Sequence, residues 1–224
     1  LPEILFKNHK IISDGFSLDD VYLTHAEREK LAREIHPLLV TRGVPGTHDL
    51  VLAEKTIQNL KNGSGGIPLF DKGSDDRYPK SSWRGVKSKN EIIIVEGWCV
   101  GCPPEEATSL AKAVNALEEV EDADGKWRRY VNEKLRNEYA HFFKQLDYLV
   151  WLQPPSFEQV YAWRSLQEQK LKEKNAKASH VMDEHKLTRF ISHFERLTRH
   201  MLRVMPSLAN ITVALDEGHA IKNL

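Results

Sequence analysis

The stretch Ile92-Ile93-Ile94-Val95-Glu96-Gly97-Trp98 decides the fold class, because four apolar β-branched residues run directly into a glutamate and a glycine. A short, continuously apolar run of this kind is typical of a strand covered on both faces of a parallel sheet. Three further runs predict strands of the same kind, over residues 15–18, 148–152 and 211–215. The chain therefore contains the strands that an α/β fold requires.

Helical patterns lie between these strands, and they cover residues 26–34, 50–62, 105–117, 127–145, 157–174 and 183–205. The last segment has its apolar residues on one stripe at helical spacing, and Pro206 is expected to end it. Glycine, serine, aspartate and proline cluster over residues 62–84 and 121–126, which predicts loops. The alternation of strands and helices predicts an α/β fold with a mostly parallel sheet, whose ligands bind at the carboxyl ends of the strands.

The charges of the chain are balanced, because Lys plus Arg and Asp plus Glu each total 32. No basic excess is available to attract nucleic acid or an anionic membrane, so neither is expected as a partner. At 224 residues the chain fits one large domain, and we expect a single domain over residues 1–224. Two cysteines cannot form a disulfide framework, so a cytoplasmic location is expected.

Acidic residues follow two of the predicted strands. Asp19 and Asp20 come directly after the first strand, and Glu96 ends the most apolar one. Carboxylates at the ends of neighbouring parallel strands converge on one crevice, where they can hold a hydrated magnesium ion and accept a proton from a substrate hydroxyl. The alternative is that the two aspartates only cap the helix that begins near Ala26.

Two loops contain further polar residues. In residues 42–49, a Gly-x-Pro-Gly turn places Arg42 and His48 beside Asp49, which is expected to cap the helix that follows. These groups either form a hydrogen-bonding pocket above the sheet or belong to an exposed loop. In residues 68–77, Lys72 and Arg77 can meet an anionic substrate, although a solvated surface loop gives the same pattern.

Two other clusters are not assigned a function. Cys99 and Cys102 lack the second pair of ligands that zinc requires. His185, His193 and His200 share roughly one face of the last helix, at spacings that differ from the i, i+4 pair of a helical metal site. We predict that this histidine face is solvated.

Five motifs occur in order along the chain, at residues 17–24 (Ser-Leu-Asp-Asp-x-Tyr-Leu-Thr), 42–49 (Arg-Gly-Val-Pro-Gly-Thr-His-Asp), 70–77 (Phe-Asp-Lys with Asp76-Arg77), 96–98 (Glu-Gly-Trp) and 160–168 (Val-Tyr-Ala-Trp-Arg-x-x-Gln-Glu). Together they resemble the D-glycerate 3-kinase family, within the wider group of pantothenate kinase, uridine kinase and phosphoribulokinase. The resemblance covers nearly the whole chain. It implies a three-layer α/β/α P-loop kinase fold and a kinase that uses ATP and Mg²⁺.

The resemblance also implies a role for each matching residue. Asp19 matches the general base that deprotonates the acceptor hydroxyl. Glu96 and Asp20, the residue next to the base, are assigned to magnesium. Arg164 and Gln167 match a helical lid over the nucleotide phosphates, where Arg164 would also stabilise charge during transfer. The residues assigned to the acceptor are Tyr22, Arg42, His48, Asp49, Lys72, Asp76 and Arg77.

One part of the family pattern is missing. The Gly-x-x-Gly-x-Gly-Lys-Ser/Thr loop that cradles nucleotide phosphates does not precede Ser17. Residues 63–66 are glycine-rich, but no lysine-serine pair follows them and no strand precedes them. We therefore expect the N-terminal strand and P-loop to be absent from these 224 residues. The implied activity is phosphorylation of a hydroxyl on a small metabolite, with D-glycerate as the first choice. A non-catalytic pseudo-kinase or truncated binding domain, and a kinase for pantothenate or a nucleoside, are the alternatives. The sequence does not predict an oligomeric state.

Overall fold

The structure, a computed structural model, describes residues 1–174 and 184–223 of the chain. The helices are α1 (Pro2–His9), α2 (His25–Glu34), α3 (Leu50–Asn62), α4 (Ala116–Glu121), α5 (Lys126–Lys134), α6 (Ala140–Phe143), α7 (Phe157–Lys174) and α8 (Glu184–Leu208). The strands are β1 (Ser13–Ser17), β2 (Gly66–Ile67), β3 (Phe70–Asp71), β4 (Asp76–Arg77), β5 (Arg84–Gly85), β6 (Ile92–Glu96), β7 (Val150–Gln153), β8 (Ile211–Leu215) and β9 (Ile221–Asn223).

The four predicted strands are confirmed as β1, β6, β7 and β8. The strands β1 and β6 pair in parallel, as do β7 and β8, and β9 adds an antiparallel edge to β8. The helices α2, α3 and α7 are also confirmed within a residue of their predicted limits. The predicted helix 127–145 is observed as α5, a π-helical turn (Leu135–Tyr139) and α6. The chain therefore has the mixed helix and strand content that its sequence predicts.

The predicted helix over residues 105–117 is wrong. This segment forms a 3₁₀ turn (Ala107–Ala111), and α4 begins only at Ala116, where Asn115 caps it by accepting a hydrogen bond from the Glu118 amide. The side-chain amide of Asn132 donates to the Glu105 carbonyl and its oxygen accepts from the Glu105 amide. Further along the segment, the side chains of Arg196 and Arg128 donate hydrogen bonds to the carbonyls of Ser109, Leu110 and Lys112, which a helix would use for its own amides.

Two other predicted boundaries differ from the structure. Pro206 does not end α8, which continues to Leu208; a proline in the last turn forfeits one hydrogen bond, and the Ala209 amide closes the helix on the Met205 carbonyl. The predicted start of this helix at Asp183 lies outside the described residues. The predicted loop 62–84 contains two short antiparallel pairs, β2 with β5 and β3 with β4.

The chain divides into two compact units. The first comprises residues 1–100 and 137–143, and contains the β1–β6 pair with α3 against β6. Its core is formed by apolar side chains of β1, the turn after β1, α3 and the π-helical turn, which include Phe16, Leu18, Val21, Leu60 and Tyr139. This unit positions the carboxylates that follow β1.

The second unit comprises residues 101–136 and 144–224, and contains the β7–β8–β9 sheet with α4, α5, α7 and α8. The predicted solvated histidine face is wrong for two of its three members. His193 and His200 are buried, and they contact the carbonyls of Arg189 at 2.9 Å and Pro103 at 3.1 Å, whereas His185 is exposed. Burial lowers the pKa of both buried histidines.

The length and apolar character that a membrane-crossing helix needs are not found together in any helix among the described residues.

Candidate active site

The acidic ends of β1 and β6 lie side by side in the first unit. The two strands are in register, so Ser17 is paired with Glu96. Gly15 makes this close pairing possible, because a Cβ atom there would lie 2.1 Å from the Ile94 carbonyl oxygen. After β1 the chain enters a 3₁₀ turn (Leu18–Val21), and the Ser17 hydroxyl accepts a hydrogen bond from the Asp19 amide. The carboxylates of the first motif therefore begin directly at the strand end.

Both carboxylate oxygens of Asp19 are hydrogen-bonded. The Tyr22 hydroxyl donates to Oδ1 at 2.6 Å, and the Lys72 ammonium donates to Oδ2 at 2.8 Å. Burial alone would raise the pKa of Asp19, but the bonds from Lys72 and Tyr22 outweigh it and lower the pKa below its ordinary value. Asp19 is therefore an ionised carboxylate with a fixed orientation at neutral pH.

Tyr22 is itself fixed by His48. The two residues form an antiparallel β-bridge, and their rings stack with centroids 4.7 Å apart. His48 Nδ1 lies 2.5 Å from the hydroxyl of Tyr139, which also accepts a hydrogen bond from the Gly46 amide. Burial lowers the pKa of His48 to about 3, so its imidazole is neutral at physiological pH. His48 therefore supports Tyr22 as a neutral ring.

The remaining cations assigned to the acceptor are paired with carboxylates. Arg42 is hydrogen-bonded to Asp75, and its guanidinium lies 5.5 Å from the centroid of the Phe70 ring. Arg77 donates to Asp49 at 3.0 Å. With Lys72 bound to Asp19, every one of these three cations has an acidic partner. An anionic ligand would have to compete with these carboxylates.

Asp49 and Asp76 have structural partners that fix the loops. Asp49 caps α3, as the sequence predicts, with Oδ1 accepting from the Leu52 amide at 2.9 Å. Asp76 Oδ1 accepts from the amide of His25, the first residue of α2, at 3.3 Å. The structure therefore brings together all seven residues that the sequence analysis assigns to the acceptor, around the end of β1.

The two residues assigned to magnesium differ in how available they are. Glu96 is exposed at the end of β6, and its carboxylate has no hydrogen-bond or ion-pair partner among the residues that the structure describes. Asp20 accepts a hydrogen bond from the Phe70 amide at 3.3 Å, and burial raises its pKa above the ordinary value. Magnesium prefers carboxylate oxygens and water. Glu96 fits this preference, whereas Asp20 is partly engaged in holding the β3 loop.

Arg164 and Gln167 lie on α7 in the second unit. Their side chains are hydrogen-bonded to each other at 3.1 Å, and the Arg164 guanidinium lies 5.7 Å from the centroid of the Phe190 ring. Residues three apart on a helix are neighbours on its surface, which explains this contact. The two predicted lid residues therefore form one polar group on α7.

Three residues of this site were missed by the sequence analysis, namely Arg28, Asp75 and Tyr139. Tyr139 is 91 residues from His48 along the chain, and nothing in the sequence links the two. Asp75 precedes a recognised motif residue and could have been included on that ground. Arg28 belongs to a charged helix with little pattern, and its burial is visible only in the structure.

No family model matches the chain, but individual proteins do. The uncharacterized kinase mug58 of Schizosaccharomyces pombe is 33% identical over 208 residues, which cover 86% of this chain and 70% of the relative. The chloroplastic D-glycerate 3-kinase of Arabidopsis thaliana is 35% identical over 176 residues, covering 72% of this chain and 36% of the relative.

A solved structure of D-glycerate 3-kinase from Cryptococcus neoformans var. grubii serotype A superposes with a TM-score of 0.81. It is 25% identical in sequence, and the match covers 100% of this chain and 82% of that protein. The resemblance predicted from the five motifs is confirmed by these relatives. The chain belongs to the kinase family that includes D-glycerate 3-kinase.

Proposed function

We propose that this protein transfers the γ-phosphate of ATP to a hydroxyl group of a small metabolite, with D-glycerate as the first candidate. The observation that carries the proposal is the ionised Asp19 at the end of β1, held by Tyr22 and Lys72. A fixed carboxylate at a strand end is the group that must accept the proton of an attacking hydroxyl. The kinase-named relatives support a catalytic protein over a non-catalytic one.

In this proposal Asp19 orients the acceptor hydroxyl and takes its proton. The lowered pKa makes Asp19 a weak base, but phosphoryl transfer passes through a loose transition state in which little nucleophile deprotonation is needed early. Orientation is then more important than base strength. Lys72 holds the carboxylate in place, and it can contact an acceptor oxygen at the same time, because an ammonium has three donors.

Acceptor recognition is assigned to the residues around Asp19. Arg42 and Arg77 are the guanidinium groups among the residues assigned to the acceptor, and such groups bind carboxylates in a bidentate manner. An acceptor with a carboxylate, such as glycerate, would displace the Asp75 carboxylate from Arg42 and bind the guanidinium in its place. His48 and Asp49 place Tyr22 and Arg77, and Asp76 fixes the hairpin on which Arg77 lies.

The residues assigned to the nucleotide side of the reaction rest on the family resemblance. Magnesium would be held by Glu96, with Asp20 beside it, and when bound it neutralises negative charge on the nucleotide phosphates. Arg164 and Gln167 would contact those phosphates, and Arg164 would stabilise charge on the transferred group. We assign the chain to a three-layer α/β/α P-loop kinase fold with a mostly parallel sheet. The single domain over residues 1–224 and the cytoplasmic location remain predictions.

A labelled-ATP assay tests the proposed acceptor. The natural gene product is incubated with γ-labelled ATP and Mg²⁺ in the presence of D-glycerate, pantothenate or a nucleoside. We expect labelled product with D-glycerate and little with the other two. Transfer only to pantothenate or the nucleoside would identify that compound as the acceptor in place of D-glycerate. Transfer to none of these compounds would favour a non-catalytic binding protein.

A further inference from the structure

The side chain of Arg28, on α2, is 1% exposed. Its guanidinium donates to the carbonyl oxygens of Leu23 at 3.2 Å, Val40 at 2.6 Å and Asp75 at 2.7 Å. It also forms an ion pair with Asp75 Oδ2 at 3.0 Å. A buried charge is costly unless it is paired and hydrogen-bonded, and these four contacts satisfy Arg28.

The contacts of Arg28 join three separate segments of the first unit. Leu23 directly follows Tyr22, Val40 precedes Arg42 by two residues, and Asp75 directly precedes Asp76. Each of these segments therefore contains a residue that we assign to the acceptor. A single guanidinium fixes the distances between them, because its five donors form a rigid planar fork.

Asp75 extends this connection to the surface of the site. Its Oδ2 contacts Arg28 and His25, and its Oδ1 contacts Arg42. The backbone of Asp75 has a φ of 57°, a left-handed conformation that non-glycine residues rarely adopt without local support. The Arg28 bond to the Asp75 carbonyl supplies such support. The carboxylate that binds Arg42 is thus itself fixed by the buried Arg28.

We propose that Arg28 is a positioning residue for the acceptor site, which acts through Asp75 and the Leu23 and Val40 carbonyls to set the places of Tyr22, Arg42 and Arg77. The proposal rests on the acceptor assignment made above. It predicts that loss of Arg28 weakens acceptor binding and leaves nucleotide binding largely intact. Loss of a purely structural residue would instead weaken the binding of both substrates, because it lowers the global stability of the protein.

The first test compares Arg28→Met, Arg28→Lys and Leu60→Ala in steady-state kinetics. Leu60 on α3 is fully buried in the same unit, so Leu60→Ala is the control for lost stability. We expect Arg28→Met to raise the acceptor KM about tenfold or more, as loss of hydrogen bonds to a charged group does. Arg28→Lys keeps the charge beside Asp75 but loses the fork, so its acceptor KM should be intermediate. The MgATP KM should change by less than about twofold in Arg28→Met and Arg28→Lys, whereas any change in Leu60→Ala should affect the KM of both substrates.

A second test does not depend on turnover. Hydrogen exchange is measured at the Tyr78 amide, bonded to the Leu69 carbonyl, and at the Leu23 amide, bonded to the Thr47 carbonyl. These amides should exchange faster in Arg28→Met than in Leu60→Ala when the two are compared at equal global stability.

Equal exchange in the two variants, or an unchanged acceptor KM in an active Arg28→Met enzyme, would overturn the role of Arg28. Absence of transfer by the wild-type protein to any acceptor would instead refute the proposed function, and the exchange measurement would still decide the role of Arg28.

Discussion

Tyr22 and Asp19 are joined by a hydrogen bond of 2.6 Å from the phenol hydroxyl to Oδ1, while Lys72 binds the other oxygen. Hydrogen bonds to an ionised acceptor are short and strong, so this pair fixes the carboxylate in one orientation. Tyr22 is in turn buried against His48 and Phe70. The candidate base Asp19 is therefore oriented by Tyr22, and Tyr22 is fixed by its packing in the core of the unit.

Tyr22→Phe removes this hydrogen bond and keeps the ring that stacks on His48. We expect kcat to fall about tenfold, which is the effect of losing one hydrogen bond to a charged group, with little change in melting temperature. Because the bond lowers the pKa of Asp19, its loss should move the acidic limb of the pH–rate profile to higher pH. Wild-type kcat and an unmoved limb would show that Tyr22 does not orient the base.

His48 should make the protein sensitive to acid. Its pKa in the folded state is about 3, below the ordinary 6.5, so between these values the unfolded state binds a proton that the folded state does not. Stability should therefore fall as the pH is lowered from 6.5 towards 3, by about 1.4 kcal/mol for each pH unit.

The control for this effect is His48→Asn, which retains a polar group near Tyr139 but does not titrate. Urea unfolding at several pH values should give a shallower dependence on pH for His48→Asn than for the wild type. His193 and His200 are present in both proteins, so their contribution cancels in the comparison. Parallel pH dependences would mean that His48 takes up its proton at the same pH in the folded and unfolded states.

Glu96→Gln tests the magnesium assignment. If Glu96 holds the ion, the variant should need more magnesium for half-maximal activity, while its melting temperature changes little because the side chain is exposed. The measurement is a magnesium titration of activity at saturating ATP. A titration identical to that of the wild type would assign Glu96 to the structure of the strand end instead.

The sequence predicts the parts of this fold that local patterns determine. The apolar run of β6 and the Asp49 cap of α3 are visible from neighbouring residues alone. The helix predicted at 105–117 fails because Arg128 and Arg196, which are distant in sequence, bond to backbone carbonyls that the helix would use. Similarly, His193 lies on a helix whose periodicity gives no sign of the elements that cover it. Tertiary contacts decide such positions, and a single sequence does not contain them.

The candidate site shows the same division. Its motif residues, such as Asp19 and Arg42, belong to short polar segments at strand ends and in glycine-containing turns. Such segments are easy to recognise in the sequence. The residues that join these segments, Arg28 and Tyr139, lie in helices and have no local signature. Their importance follows from burial and long-range hydrogen bonds.

The rate of phosphoryl transfer by Asp19→Asn is the most direct test of the central claim that Asp19 is the general base of a kinase. The substitution keeps the shape of the side chain, and Glu34→Gln on the exposed face of α2 serves as the matched control. We predict that Asp19→Asn keeps its fold and loses a factor of about 10² to 10⁴ in kcat with MgATP and the acceptor, whereas Glu34→Gln retains wild-type activity. An Asp19→Asn enzyme that turns over within a few-fold of the wild type would contradict this account.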